Sequence, residues 1–159
     1  RKTLFVIIIY MVQLISGSIV SGHGVASGCS NDPRFPKGTL SLQWPIFEEL
    51  GLNFLGYHRA TINISVHPMK PVLVKSLCTF RNVKWHVDCG AEDFSFFKVE
   101  LLVSDAKSVD GLIYWPHPET KPEHFQDPHV IEVVAPKVEG LSLKDKVSIK
   151  VNREQIYFH

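Results

Sequence analysis

Apolar positions in this chain fall into short runs that alternate with polar residues or are rich in β-branched side chains. A period of two places alternate residues on one face of a strand, and each run here is bounded by Gly, Pro, Asn or Asp. The segment after Met11, Val12 to Gly22, predicts a first strand. Further strands are predicted over Thr39–Gln43, Ala60–Val66, Val72–Leu77, Phe80–Val87, Phe94–Leu102, Gly111–Trp115, Val130–Val134 and Lys146–Val151. Helix signals are sparse. Pro45 at a first helical position and Gly51 just past an end predict a two-turn helix over Pro45–Gly51, and Val138–Leu141 predicts a short turn. Eight or nine short strands with one or two short helices predict a mainly β fold, a closed or nearly closed barrel.

The chain has 159 residues, 45% hydrophobic and 21% charged, with a formal net charge of +1. That size and apolar content suit one domain with one real core. The balanced charge lacks the basic footprint of non-specific nucleic-acid binding. Residues 1–10 open with Arg1-Lys2 and an apolar run, too short for a comfortable membrane span. They are read as an extension or upstream sequence ahead of a domain over 11–159, with translation from Met11 and a cytoplasmic location. The alternative is a secreted protein in which residues 1–21 act as a signal peptide, although cleavage there would destroy the first strand. Cys29, Cys78 and Cys89 form no C-x-x-C pair, and reduced thiols are expected. A Cys78–Cys89 bridge across a hairpin is the alternative.

Several segments carry groups that could do chemistry. Ser21 to Gly28 follows the first strand, and Gly22, His23, Gly24, Ser27 and Gly28 could turn backbone N–H groups toward a phosphate, though such a loop is also an ordinary connection. No Gly-Lys-Ser/Thr follows, so it is not a Walker loop. Thr61 and Asn63, two apart on a predicted strand, project to one face and could complete a Mg²⁺ shell. The same pair also suits the polar outer face of an amphipathic strand. Between Trp115 and His129 lie four of the ten prolines and three histidines, His117, His124 and His129. Their spacing matches no zinc template. Glu119, Thr120, Lys121 and His124 suit a polar or phosphorylated ligand instead. Asp88, Cys89, Glu92 and Asp93 form an acidic loop, with no cation beside Cys89 to activate it.

Taken in order, these segments resemble the archaeal CTP-dependent riboflavin kinases. Ile19-Val20-Ser21-Gly22-His23-Gly24 is similar to that family's V-V-S-G-x-G opening. Leu50-Gly51-Leu52 with Thr61-Ile62-Asn63-Ile64 is similar to its L-G-F … G-T-L-N segment. Pro118-Glu119-Thr120 and Val130–Pro136 resemble P-x-x-T-H-Y … E-I-I-A-P, and Leu141–Val147 resembles L-x-L-K-D-G-D-x-V. The resemblance spans most of residues 14–151 and implies a small six-stranded cradle-loop barrel with additional hairpin strands. It further implies transfer of the CTP γ-phosphate to riboflavin with Mg²⁺. On that pattern the Gly22–Gly28 loop holds phosphates, Thr61 and Asn63 hold the metal, Thr120 lies near the flavin, and Glu132 is the candidate catalytic base. The sequence departs from the family at Val25-Ala26, where a glutamate is usual, at Arg59-Ala60 in place of Pro-Gly, and at Lys121-Pro122 after Thr120. The alternative is a non-catalytic small-molecule-binding barrel without the metal site.

Overall fold

A computed structural model describes residues 10–22, 32–121 and 127–159. The described elements are β1 (Val12–Val20), α1 (Thr39–Glu49), β2 (Ile62–Ser65), β3 (Pro71–Leu73), β4 (Cys78–Val83), β5 (Glu92–Ser104), β6 (Lys107–Pro116), a 3₁₀ turn (Pro118–Thr120), β7 (Val130–Val134), β8 (Lys146–Asn152) and β9 (Ile156–Phe158). Six strands close into an antiparallel ring in the order β1-β2-β7-β6-β5-β8, with β8 paired to both β1 and β5. The fold is therefore mainly β and barrel-like. β4 pairs with the first half of β5 outside the ring, and β3 pairs with β9 as a separate two-stranded ribbon.

Alternation along each ring strand decides what fills the interior. Ile15 and Ile19 sit four residues apart, and Phe97, Val99 and Leu101, Ile131 and Val133, and Val147, Ile149 and Val151 sit two apart, and all bury together. Gly17 lies between Ile15 and Ile19 on that face. A Cβ there would stand 2.6 Å from Ile64 Cγ2 and 2.8 Å from the Ser65 carbonyl oxygen, so only glycine lets β1 and β2 approach this closely.

The opposite parity of β5, β6 and β7 builds a second core outside the ring. Phe94, Phe96, Leu112, Tyr114 and Val134 pack with Leu40, Trp44 and Phe47 of α1, and with Leu52 and Phe54 just beyond it. The predicted strand over Thr39–Gln43 is corrected here, because those residues begin one helix that runs on through Pro45 to Glu49. Leu40, Gln43, Trp44 and Phe47 are buried at spacings of three and four, which is the helical stripe. A short apolar run satisfies either period, and the aromatic wall of β5 and β6 selects the helix. Gly51, at φ 107°, ends it as expected by donating to the Glu48 carbonyl.

Other boundaries move less. β7 matches its predicted bounds. β4 stops at Val83, after an irregularity between Phe80 and Val83 where Asn82 adopts φ 57°. β3 is only three residues long, and β9 was not predicted. Cys78 and Cys89 are not bridged to each other. No helix among the described residues is long and apolar enough to cross a membrane.

Candidate functional site

One end of the ring carries a pocket of about 360 Å³, a size suited to a small ligand. Its position follows from strand register. Val20 ends β1 opposite Asn63, and Asn63 in turn lies opposite Glu132 of β7. The apolar lining of the pocket comes from Ile19, Ile62, Ala135, Pro136, Leu141 and the exposed Leu143. Its polar rim consists of Ser21, Gly22, Thr61, Asn63, His58 and Ser142, with Lys137 as a cation. None of the described lining residues is acidic, so the lining favours an anionic ligand group.

The walls are held by backbone bonds. His58 N–H donates to the Ala135 carbonyl at 2.9 Å, fixing the segment before β2 against the end of β7. Ile19 N–H donates to Asp145 and Lys144 N–H donates to Ile19, which ties the loop before β8 to β1. Asp145 Oδ2 accepts from Ser142 N–H at 2.8 Å and closes that loop into a turn.

Gly22, Thr61 and Asn63, distant in sequence, meet here. A Cβ on Gly22 would lie 2.4 Å from Asn63 Nδ2, so glycine lets the Asn63 amide pack onto the backbone leaving β1. Thr61 stands one residue before β2 rather than within it, and its hydroxyl donates to Glu132 Oε1 at 3.4 Å. Glu132 does not line the pocket and touches it through Thr61. The Thr61 hydroxyl contacts the Glu132 carboxylate, and Asn63 is the register partner of Glu132. Thr61 and Asn63 could serve Mg²⁺ as neutral oxygen ligands in a hard-oxygen set, with Glu132 as the nearby charge.

The predicted ligand residues after β6 lie elsewhere. Tyr114 is opposite Glu132, so β6 ends near the start of β7, whereas Thr61 lies beside the end of β7. Glu119 and Thr120 therefore sit toward the other end of the barrel. Thr120 Oγ1 accepts from Asp93 N–H at 2.9 Å and donates to the His117 carbonyl at 2.9 Å. Glu119 Oε1 lies 3.0 Å from His117 Nδ1. Its carboxyl is held below the usual carboxylate range, first by its own backbone N–H and further by His117, against desolvation and the Asp93 charge. From His117 Nε2 a row of 2.7 Å bonds runs through Ser95 and Thr79 to Ser76. These contacts fasten the turn after β6 onto β4 and β5. His23, Gly24, Ser27, Gly28 and His124 lie outside the described residues.

Tyr114, on β6, is the register partner of Glu132. Burial raises its phenol well above 10.0, the carboxylates of Glu132 and Glu92 push the same way, and its bond to Gln43 opposes them. The Tyr114 hydroxyl donates to Gln43 Oε1 at 2.7 Å, joining α1 to β6.

His58, Lys137 and Ser142 are pocket residues that motif reading missed. Lys137 directly follows Ala135-Pro136, so a cation one residue past that segment was its available signal. No protein-family model matches the chain, and no curated protein matches it.

Proposed function

We propose that this protein is a riboflavin kinase-like barrel that binds a nucleotide or flavin in the pocket between β1, β2 and the loop after β7. The observation that carries the reading is the meeting of Gly22, Thr61 and Asn63 in one acid-free pocket with Lys137 on its rim. Lys137, the Ser21 and Ser142 hydroxyls and the Asn63 amide bind phosphate oxygens, while Ile19, Ile62 and Pro136 take an apolar ring. In the transfer step the riboflavin 5′-hydroxyl oxygen bonds to the CTP γ-phosphorus as the bond to the β-phosphate oxygen breaks. The hydroxyl proton passes by way of the Thr61 hydroxyl to Glu132, and CDP leaves. Thr61 and Asn63 would hold Mg²⁺, which would supply charge neutralisation at the phosphates. Thr61 and Asn63 orient the donor, and positioning with electrostatics is sufficient for such chemistry.

A second reading, a binding barrel without turnover, is favoured by one observation. Thr120, which the resemblance brings near the flavin, is occupied by Asp93 and His117 toward the other end of the barrel.

Thermal shift with riboflavin, FMN, CTP and ATP, each with and without Mg²⁺, separates these readings from none. A ligand at a hundredfold its Kd adds about 2.7 kcal/mol. Asn63→Ala should abolish kinase turnover and the Mg²⁺-dependent part of the shift while leaving the unliganded melting temperature nearly unchanged. Binding without γ-phosphate transfer would select the second reading, and no response to any ligand would remove both.

A further inference from the structure

His67 and His129 come from segments 62 residues apart in sequence, yet their rings meet with centroids 4.7 Å apart and planes at 62°. Both lie at the end of the barrel remote from Thr61, just past the Ser65–Val130 pair. Their backbones are tied together, because Val66 N–H donates to the His129 carbonyl at 2.8 Å. The His129 amide is held in turn by Asp127 Oδ1 at 2.8 Å.

The second observation concerns the tautomer. His129 Nδ1 lies 3.0 Å from the Met69 carbonyl oxygen. A carbonyl can only accept, so Nδ1 is the donor, and in the neutral ring this tautomer puts the lone pair on Nε2. A backbone carbonyl on the far nitrogen is the usual support of a metal-binding imidazole. An imidazole centroid stands about 3.2 Å from an ion it ligates, so two rings sharing one ion at ~90–110° stand about 4.5–5.2 Å apart. The observed separation lies within that window. His117, by contrast, has both ring nitrogens engaged by Ser95 and Glu119.

From this geometry we infer that His67 and His129 form a two-imidazole site for a late first-row divalent transition ion. Imidazole nitrogen selects copper, nickel and zinc over magnesium and calcium. No cluster of three or more His, Cys, Asp and Glu that could hold a metal occurs among the described residues. The described residues therefore supply two ligands and water completes the shell, giving an open, exchangeable site separate from the hard-oxygen set at Thr61.

The test is titration of the tag-free full chain with Cu²⁺, and separately with Zn²⁺, followed by calorimetry. His67→Gln and His129→Gln should each weaken the tightest binding event about tenfold or more, and His86→Gln, at a histidine outside both sites whose Nδ1 accepts from Asp88 N–H, should leave it unchanged. Affinity within twofold of wild type in either of the first two variants would overturn the site. Because a variant could misfold, substoichiometric Cu²⁺ is also added to the unaltered protein and histidine ring signals are followed by NMR. Simultaneous broadening of His67 and His129 before the other histidines is expected, and earlier broadening of any other histidine contradicts it.

Discussion

Single positions decide how closely this barrel can be drawn together. Gly17 has no space for a side chain between Ile64 and the Ser65 backbone. Gly17→Ala should therefore destabilise the fold by about 1–3 kcal/mol, since one of the contacts is backbone and cannot rotate away. Chemical denaturation checks this, with a loss larger than that of Gly90→Ala, where an added Cβ meets nothing within 4 Å. Tyr114 makes a prediction with a sign. Its folded pKa is raised, so the unfolded state loses its phenolic proton first as pH rises past about 10. The stability associated with keeping Tyr114 neutral is complete below that pH and declines above it. Tyr114→Phe should lower stability at pH 8 by about 1–3 kcal/mol, because Gln43 Oε1 loses its buried donor. It should also flatten the alkaline decline, as urea unfolding at pH 8 and above pH 10 would record. An unchanged alkaline slope would contradict the assignment.

At the scale of elements, α1 is held by its aromatic neighbours more than by its own sequence. Proline at position 45 removes one helical donor, and no side chain caps its N-terminus. Phe47, fully buried, packs with Phe54, Phe80, Phe94 and Phe96 at centroid distances of 5.0–6.4 Å. Phe47→Ala should cost about 3–5 kcal/mol and loosen the helix before the barrel, visible as early loss of amide-exchange protection over Thr39–Glu49. Equal loss of protection throughout the ring would show that the two cores do not separate energetically. The same element marks the limit of sequence reading. Strands such as β7 and β8 were legible because one inward face imposes a period of two. Leu40 to Phe47 was misread at its start because its period is set by Phe94, Phe96 and Tyr114, residues more than forty positions away. β9 escaped notice for a similar reason, since three residues carry little pattern and its partner β3 lies over eighty positions upstream.

Across the whole molecule, ring closure is what could turn scattered polar residues into a site. β8 bridges β1 and β5, and β2 inserts between β1 and β7, so Val20, Asn63 and Glu132 fall side by side. The small and polar character of Gly22, Thr61 and Asn63 was legible in the sequence. Their meeting depended on register, as did the recruitment of His58 and Lys137, and neither has a local signature. Register also divides what the chain order had joined, sending Glu119 and Thr120 away from Thr61 and pairing His129 with His67. The central claim is that the acid-free pocket receives a nucleotide or flavin. Backbone-amide shift mapping of the full chain, titrated with CTP·Mg²⁺ and with riboflavin, tests it most directly. Saturable shifts centred on Gly22, Thr61, Asn63 and Lys137 are predicted for at least one of the two ligands. Saturable shifts centred on Asp93, His117 and Thr120 instead, or no saturable shifts with either ligand, would contradict it.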